Sequence, residues 1–178
     1  LQPLGDAVRP GISLFGILPA SLASKVGLRP VLSLQTQLVF LKDIPTGRAV
    51  GYGGVWTAHR PTRLAPLPIG YADGVPYRLG TSGRGVVLVR GRRCPIVGAI
   101  SMDYCTIDVG HVLGAEIGDT VTFIGRDGQE TIGAQEMAEA AGTIPYEITC
   151  SIGSRVRRVF RDNARASAMQ PSTPSLGS

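Results

Sequence analysis

Val31-Leu32-Ser33-Leu34-Gln35-Thr36-Gln37-Leu38-Val39-Phe40 decides the fold class. Beyond Pro30, apolar and polar residues alternate at the start of this run, the period-2 pattern of a strand with one face buried. Ile44-Pro45-Thr46-Gly47 then turns the chain. Working outward toward the C-terminus, strand-length segments recur at short intervals over 49–56, 63–71, 85–90, 93–97, 102–109 and 120–124. Gly91 and Arg92 are expected to make the tight turn between the third and fourth of these. Asp127-Gly128 gives the clearest hairpin signal, because glycine readily takes positive φ. Regular short strands with turn residues between them predict a mainly β fold, a barrel or sandwich.

Helices are few. Ala134-Gln135-Glu136-Met137-Ala138-Glu139-Ala140-Ala141 is rich in helix formers, and Gly142 stands ready to cap it. Pro145 suits the first position of a second short helix through residue 148. Toward the N-terminus, the apolar run 12–18 reads as a buried strand, and 21–29 as a short helix with Gly27 near its end. The Ala-, Ser- and Pro-rich stretch after Arg165 reads as a disordered tail. No internal repeat is visible.

Composition sets outer bounds. The 178 residues are 43% hydrophobic and 17% charged, enough apolar material for a core and unlike a disordered chain. The 24 glycines and 13 prolines favour turns over long helices. The net charge of +5 is modest, and Arg155, Arg157, Arg158, Arg161 and Arg165 gather late in the chain, where a solvated edge is expected. Nucleic-acid binding ranks behind that reading, since aromatic residues are 6% and no stacking ladder accompanies the arginines. Cys94, Cys105 and Cys150 form no CxxC pair, so reduced thiols and a cytoplasmic location are expected rather than disulfides or zinc. His59 and His111 have no second ligand at metal spacing. Asp43, Asp108 and Asp119 fall near predicted strand ends and read as turn or solvent groups. No apolar run is long enough for a membrane helix. Leu1 is neither an initiator methionine nor part of a secretory signal, and the chain reads as beginning in mid-protein.

Two stretches carry chemistry. In Val8-Arg9-Pro10-Gly11-Ile12 an arginine stands beside a Pro-Gly turn whose backbone amides can meet an anion. In Ala49-Val50-Gly51-Tyr52-Gly53-Gly54 a tyrosine lies between glycines, where its phenol can project uncrowded. A phenol ionises near ~10, so a tyrosine used as a base at neutral pH needs a cation or a desolvated partner. Gly70-Tyr71-Ala72-Asp73-Gly74 and Ser101-Met102-Asp103 complete the set.

Together these motifs resemble the C-terminal part of alanine racemase, over about residues 6–161. The resemblance implies pyridoxal 5'-phosphate as cofactor and alanine as substrate. It implies that Tyr52 is one of two opposed acid/base groups, that Arg9 donates to the cofactor's pyridine nitrogen, and that the Gly11 and Ile12 amides and the Tyr146 hydroxyl receive its phosphate. Tyr71 would narrow the substrate channel, the Met102 amide would meet the substrate carboxylate, and Asp103 would order the loop beside it. The implied domains are a remnant of the N-terminal (β/α)8 barrel at 1–29, the C-terminal β domain at 30–163 and a tail at 164–178.

The resemblance further implies a homodimer in which Tyr52, Tyr71 and Met102 serve the partner's cofactor, while Arg9, Gly11, Ile12 and Tyr146 serve their own. Neither nucleic acid nor membrane is an expected partner. Phe15 stands where the family commonly has tyrosine. Tyr77 and Ala99 stand where arginines often line the channel mouth, and Arg155-Val156-Arg157-Arg158 replaces the usual Arg-Val-Pro-Arg. The family's Schiff-base lysine belongs to the barrel, and neither Lys25 nor Lys42 has its surroundings. Alone, this chain is expected to be inactive. Two alternatives stay open: a non-catalytic β-barrel binding or assembly module using the basic 155–161 segment, and an amino-acid racemase of broader range.

Overall fold

In the structure, a computed structural model that describes residues 5–161 other than 19 and 24, the run at 31–40 contributes a shorter strand. The Val31 amide donates to the Phe15 carbonyl, and Leu38 bonds with the 118–119 turn, which leaves 34–37 for the ladder. Among the described residues the chain runs through α1 (Ala20–Ala23), β1 (Leu34–Gln37), β2 (Lys42–Ile44), β3 (Ala49–Val50), β4 (Trp56–Thr57) and β5 (Thr62–Leu67). It continues through α2 (Arg78–Thr81), β6 (Val86–Val89), β7 (Arg92–Pro95), β8 (Cys105–Asp108), β9 (Thr120–Asp127) and β10 (Glu130–Ile132). The last helices are α3 (Ala134–Ala141) and α4 (Pro145–Ser151).

Every strand pair is antiparallel. One sheet runs β1-β9-β6-β7 with β10 on the far part of β9, a second runs β2-β5-β8, and β3-β4 is a small hairpin. The Ile96–Ile107 bridge and the bond from the Val97 amide to the Thr106 carbonyl join the larger sheets, so both wrap one core. β9 lies at its centre. Val121, Thr122, Phe123 and Ile124 are all buried, and Leu67, Val87 and Ile107 share the core cluster of the three apolar ones. A strand covered on both faces loses the alternation that marks a half-buried one. Thr122 keeps its hydroxyl satisfied by accepting from Gln35 Nε2 at 3.2 Å.

The two C-terminal helices follow the sequence closely. α3 buries Ala134, Met137, Ala138 and Ala141 on one face and ends at Gly142 in the left-handed conformation. α4 begins at Pro145 and runs three residues past 148. The β6–β7 turn falls at Arg90-Gly91, both at positive φ, one residue before the expected pair. A hairpin forms beside Asp127, one residue later than the expected pair: Asp127 is paired to Glu130, and Gly128-Gln129 is the loop.

Three expectations need correcting. The run 12–18 is not a buried strand: Gly11–Phe15 is a 3-10 turn with none of its residues buried. Pro10 has helical dihedrals, Ser13 bonds its carbonyl through both backbone and hydroxyl, and Gly16 ends the turn in the left-handed region. The helix expected over 21–29 is the single turn α1. The segment 49–56 is not one strand, because Gly51, Gly53 and Gly54 all have positive φ, which no extended ladder accommodates. It folds instead as β3, a 3-10 turn at Tyr52–Gly54, and β4. The expected tail after residue 165 lies outside the described residues.

Candidate functional site

The broken strand is what exposes Tyr52. Its side chain stands at the tip of the β3–β4 hairpin, and the residue is 77% accessible. The hairpin is nonetheless fixed from below. A Cβ on Gly51 would lie 3.0 Å from the Ala99 nitrogen, and one on Gly98 would lie 2.9 Å from the Val50 carbonyl oxygen. Glycine on both sides lets the two backbones touch.

From Ala99 the chain runs directly into the Ser101-Met102-Asp103 loop. Ser101 closes it by donating Oγ to the Tyr104 carbonyl and accepting the Tyr104 amide, each at 3.0 Å. Met102 and Asp103 are left exposed. Against this loop lies the 3-10 turn Tyr71–Asp73. The Tyr71 amide donates to the Ser101 carbonyl and the Ala72 amide to the Met102 carbonyl, both at 3.1 Å. Gly70 permits this approach, since a Cβ there would fall 2.3 Å from the Ser101 oxygen. Asp73 Oδ2 accepts the Gly70 amide at 2.9 Å and closes the turn. The Tyr71 ring meets Tyr77 edge-on, with centroids 6.4 Å apart.

The expected solvated edge at the late arginines is partly wrong. Arg155 donates Nε to Asp73 Oδ1 at 3.0 Å and Nη1 to Asp103 Oδ1 at 2.8 Å. Those two acceptors raise its basicity further, through hydrogen bonding to Asp103 first and Asp73 second. Arg158 donates to the Ile152, Gly153 and Val156 carbonyls. The Gly153 amide donates to the Asp73 carbonyl at 3.2 Å, which brings the end of α4 under the same turn. Tyr146, in the first turn of α4, is 55% accessible.

One platform therefore carries Tyr52, Tyr71, Met102 and Asp103. Sequence reasoning found these four and missed the framework beneath them. Gly98 carried no signal, Ala99 was read only as a channel-mouth position, and Arg155 reaches carboxylates 82 and 52 residues away. Asp73 was legible in principle, as an acidic side chain three residues after a glycine amide.

Arg9, Gly11 and Ile12 lie on a different segment. Arg9 is exposed, and no hydrogen bond or ion pair among the described residues joins these three to the Tyr52 platform. Their segment is anchored by the Val31–Phe15 bond, and a cavity of about 220 Å³ lined by Phe15, Ile17, Leu28, Ile124 and Ile132 lies beside it. Gly11 and Ile12 head the 3-10 turn, where backbone amides have no intrahelical acceptor, and open space surrounds the Gly11 α-carbon. Two amides with no acceptor among the described residues, two and three positions after the Arg9 guanidinium, make a donor set that would suit an anionic, nitrogen-bearing ligand such as pyridoxal phosphate.

The three aspartates read as turn or solvent groups all have partners. Asp43 pairs with Arg63 across β2 and β5, and Asp119 with Arg90, whose hydrogen bond holds the Asp119 carboxyl below its ordinary range. Asp108 is buried and accepts from Thr62 Oγ1 at 2.6 Å and the Gly110 amide at 2.8 Å. His111 Nε2 lies 3.0 Å from the Arg93 carbonyl, and the described residues contain no metal-ligand cluster.

Residues 31–160 match the family described as alanine racemase, C-terminal domain. The chain belongs to the alanine racemase family. It is 44% identical over 158 residues to the alanine racemase of Halothermothrix orenii, a match covering 88% of this chain and 41% of that one. Among solved structures, it resembles the alanine racemase of Bacillus anthracis with bound L-Ala-P at a TM-score of 0.79 and 38% identity, over 86% of this chain and 39% of that one. A second is the Bartonella henselae alanine racemase with covalently bound pyridoxal phosphate, at a TM-score of 0.77 and 36% identity, over 85% of this chain and 40% of that one. The chain thus spans about two-fifths of the length of the racemases it matches, as their C-terminal β domain.

Proposed function

We propose that this chain is the C-terminal part of a pyridoxal-phosphate-dependent alanine racemase, which interconverts L- and D-alanine in the cytoplasm for peptidoglycan synthesis. The observation that carries the reading is the Tyr52 hairpin, seated by backbone contact on the Gly98-Ala99 segment that leads into the Met102 loop. On this reading Tyr52 would serve as the acid/base phenol and the Met102 amide would bind the substrate carboxylate, and the shared backbone seat supports their acting together at one carbon.

Residues 1–29 are read as the end of the upstream barrel, 30–163 as the β domain and 164–178 as a tail. Arg9 would hold the pyridine nitrogen, and the Gly11 and Ile12 amides with the Tyr146 hydroxyl would hold the phosphate. Bound pyridoxal phosphate supplies the electron sink that acidifies the alanine Cα–H. Arg9 remains a cation throughout and gives the ring nitrogen a hydrogen bond rather than a proton. Tyr52 takes or returns the Cα proton on one face, and a lysine of the upstream domain serves the other. The Met102 amide orients the substrate carboxylate, and Tyr71 restricts the channel. Membership of the family supports a homodimer in which Arg9 and Tyr52 serve two neighbouring sites.

A second reading, a racemase of broader range, is favoured by Tyr77. It lays an aromatic edge on Tyr71 at a position where the family often carries a cation. The test of both is to supply the upstream barrel domain and assay the assembled protein. Interconversion of L- and D-alanine supports the first reading, and equal turnover of serine or lysine supports the second. No racemisation of any of the three overturns both.

A further inference from the structure

The Tyr71 turn and the Met102 loop are exposed at their tips and joined on their inner side by two backbone hydrogen bonds. Asp73 closes the turn, Asp103 stands exposed in the loop that Ser101 closes, and both aspartates go to the same guanidinium. Arg155 holds Asp73 Oδ1 between Nε and Nη2, each at 3.0 Å, and Asp103 Oδ1 on Nη1 at 2.8 Å. The Asp73 side chain is only 13% accessible, and its second oxygen is committed to the Gly70 amide. The Asp103 side chain is 52% accessible and has no other side-chain partner among the described residues.

We propose that Arg155 is a positioning residue that locks the Tyr71 turn and the Met102 loop into one body, fixing the distance between the channel-narrowing phenol and the carboxylate-binding amide before substrate arrives. This rests on the racemase reading for its consequence in catalysis, though not for the clamp itself. A planar guanidinium can grip two carboxylates from one fixed plane. A lysine ammonium in its place is a compact charge on a flexible stem, with no fixed fork to set the spacing of the two carboxylates. Without the clamp the two inner bonds remain, but their outer ends are free to part and water can reach them.

The experiment compares Arg155→Ala, Arg155→Lys and Asp103→Asn with the parent in the complete protein, upstream domain included. Hydrogen exchange is read at the Tyr71 and Ala72 amides, which span the two loops, and KM and kcat are measured for alanine. In Arg155→Ala those amides exchange roughly 10-fold faster or more. KM rises by about 5- to 10-fold while kcat stays within about twofold, the pattern of a lost ground-state contact. Arg155→Lys recovers part of the protection without restoring KM. Asp103→Asn shifts KM in the same direction while leaving the Asp73 pair, and therefore the fold, in place.

Unchanged exchange at Tyr71 and Ala72 in a folded Arg155→Ala protein overturns the clamp. Faster exchange with unchanged KM overturns its role in positioning. A parent that fails to racemise alanine defeats the functional reading instead, and the exchange measurement alone then decides the clamp.

Discussion

The centre of the sheet and the platform that carries Tyr52 are held in place by different physics. Around β9, position is set by burial: Phe123, Leu88 and Val121 have no accessible surface, and their side chains define the register. On the platform, Tyr52, Tyr71 and Met102 are exposed, and their backbones are what is packed. Glycines at 51, 70 and 98 let main chain meet main chain, and hydrogen bonds with one arginine fix the result. A protein that must present aromatic side chains outward cannot use those side chains to hold its loops. It therefore transfers the task to the backbone.

The largest expected effect breaks the core side of this comparison. Phe123→Ala removes a fully buried ring at the centre of β9 and is expected to cost about 3–5 kcal/mol, read as a lowered midpoint in urea unfolding. On the platform side, Gly70→Ala places a methyl group against the Ser101 and Met102 carbonyls. Overpacking of this kind costs about 1–3 kcal/mol. Its signature is more specific than the lost stability, since exchange at Tyr71 and Ala72 should rise while protection in β9 is retained. A uniform loss of protection would show that the platform and core are not separately held.

The smallest effect sharpens the contrast without perturbing either side. Burial pushes the Cys94 and Cys105 thiols up to about 12, whereas Cys150 on α4 is exposed. Alkylation of the folded chain at pH 8 is expected to add one label, at Cys150, and to reach all three thiols only after denaturation. Rapid labelling of Cys94 or Cys105 would contradict a closed core.

The same contrast explains what the sequence made legible. α3 and its cap were readable to the residue, because apolar periodicity and a glycine stop are local signals. The β6–β7 hairpin was readable to within one residue for the same reason. The run at 49–56 misled because Ala-Val and Val-Trp look like strand, while the intervening glycines decide the backbone. The run at 12–18 misled because its apolar residues suggest burial, although the Pro10-Gly11 start turns it into an exposed 3-10 turn. Tyr52, Tyr71 and Met102 were found through their motifs. The Arg155 link to Asp73 and Asp103 was not, because a salt bridge across 52 to 82 residues leaves no periodic trace.

The central claim is that the Tyr52 hairpin delivers a proton-transferring phenol, and Tyr52→Phe in the protein completed with its upstream domain tests it most directly. The substitution removes one exposed hydroxyl and leaves the Gly51 seat intact, so thermal stability should not change. General acid–base catalysis by a positioned side chain contributes roughly 10²–10⁴-fold, and alanine racemisation is expected to fall by that amount in both directions. Racemisation undiminished from both L- and D-alanine would contradict the account.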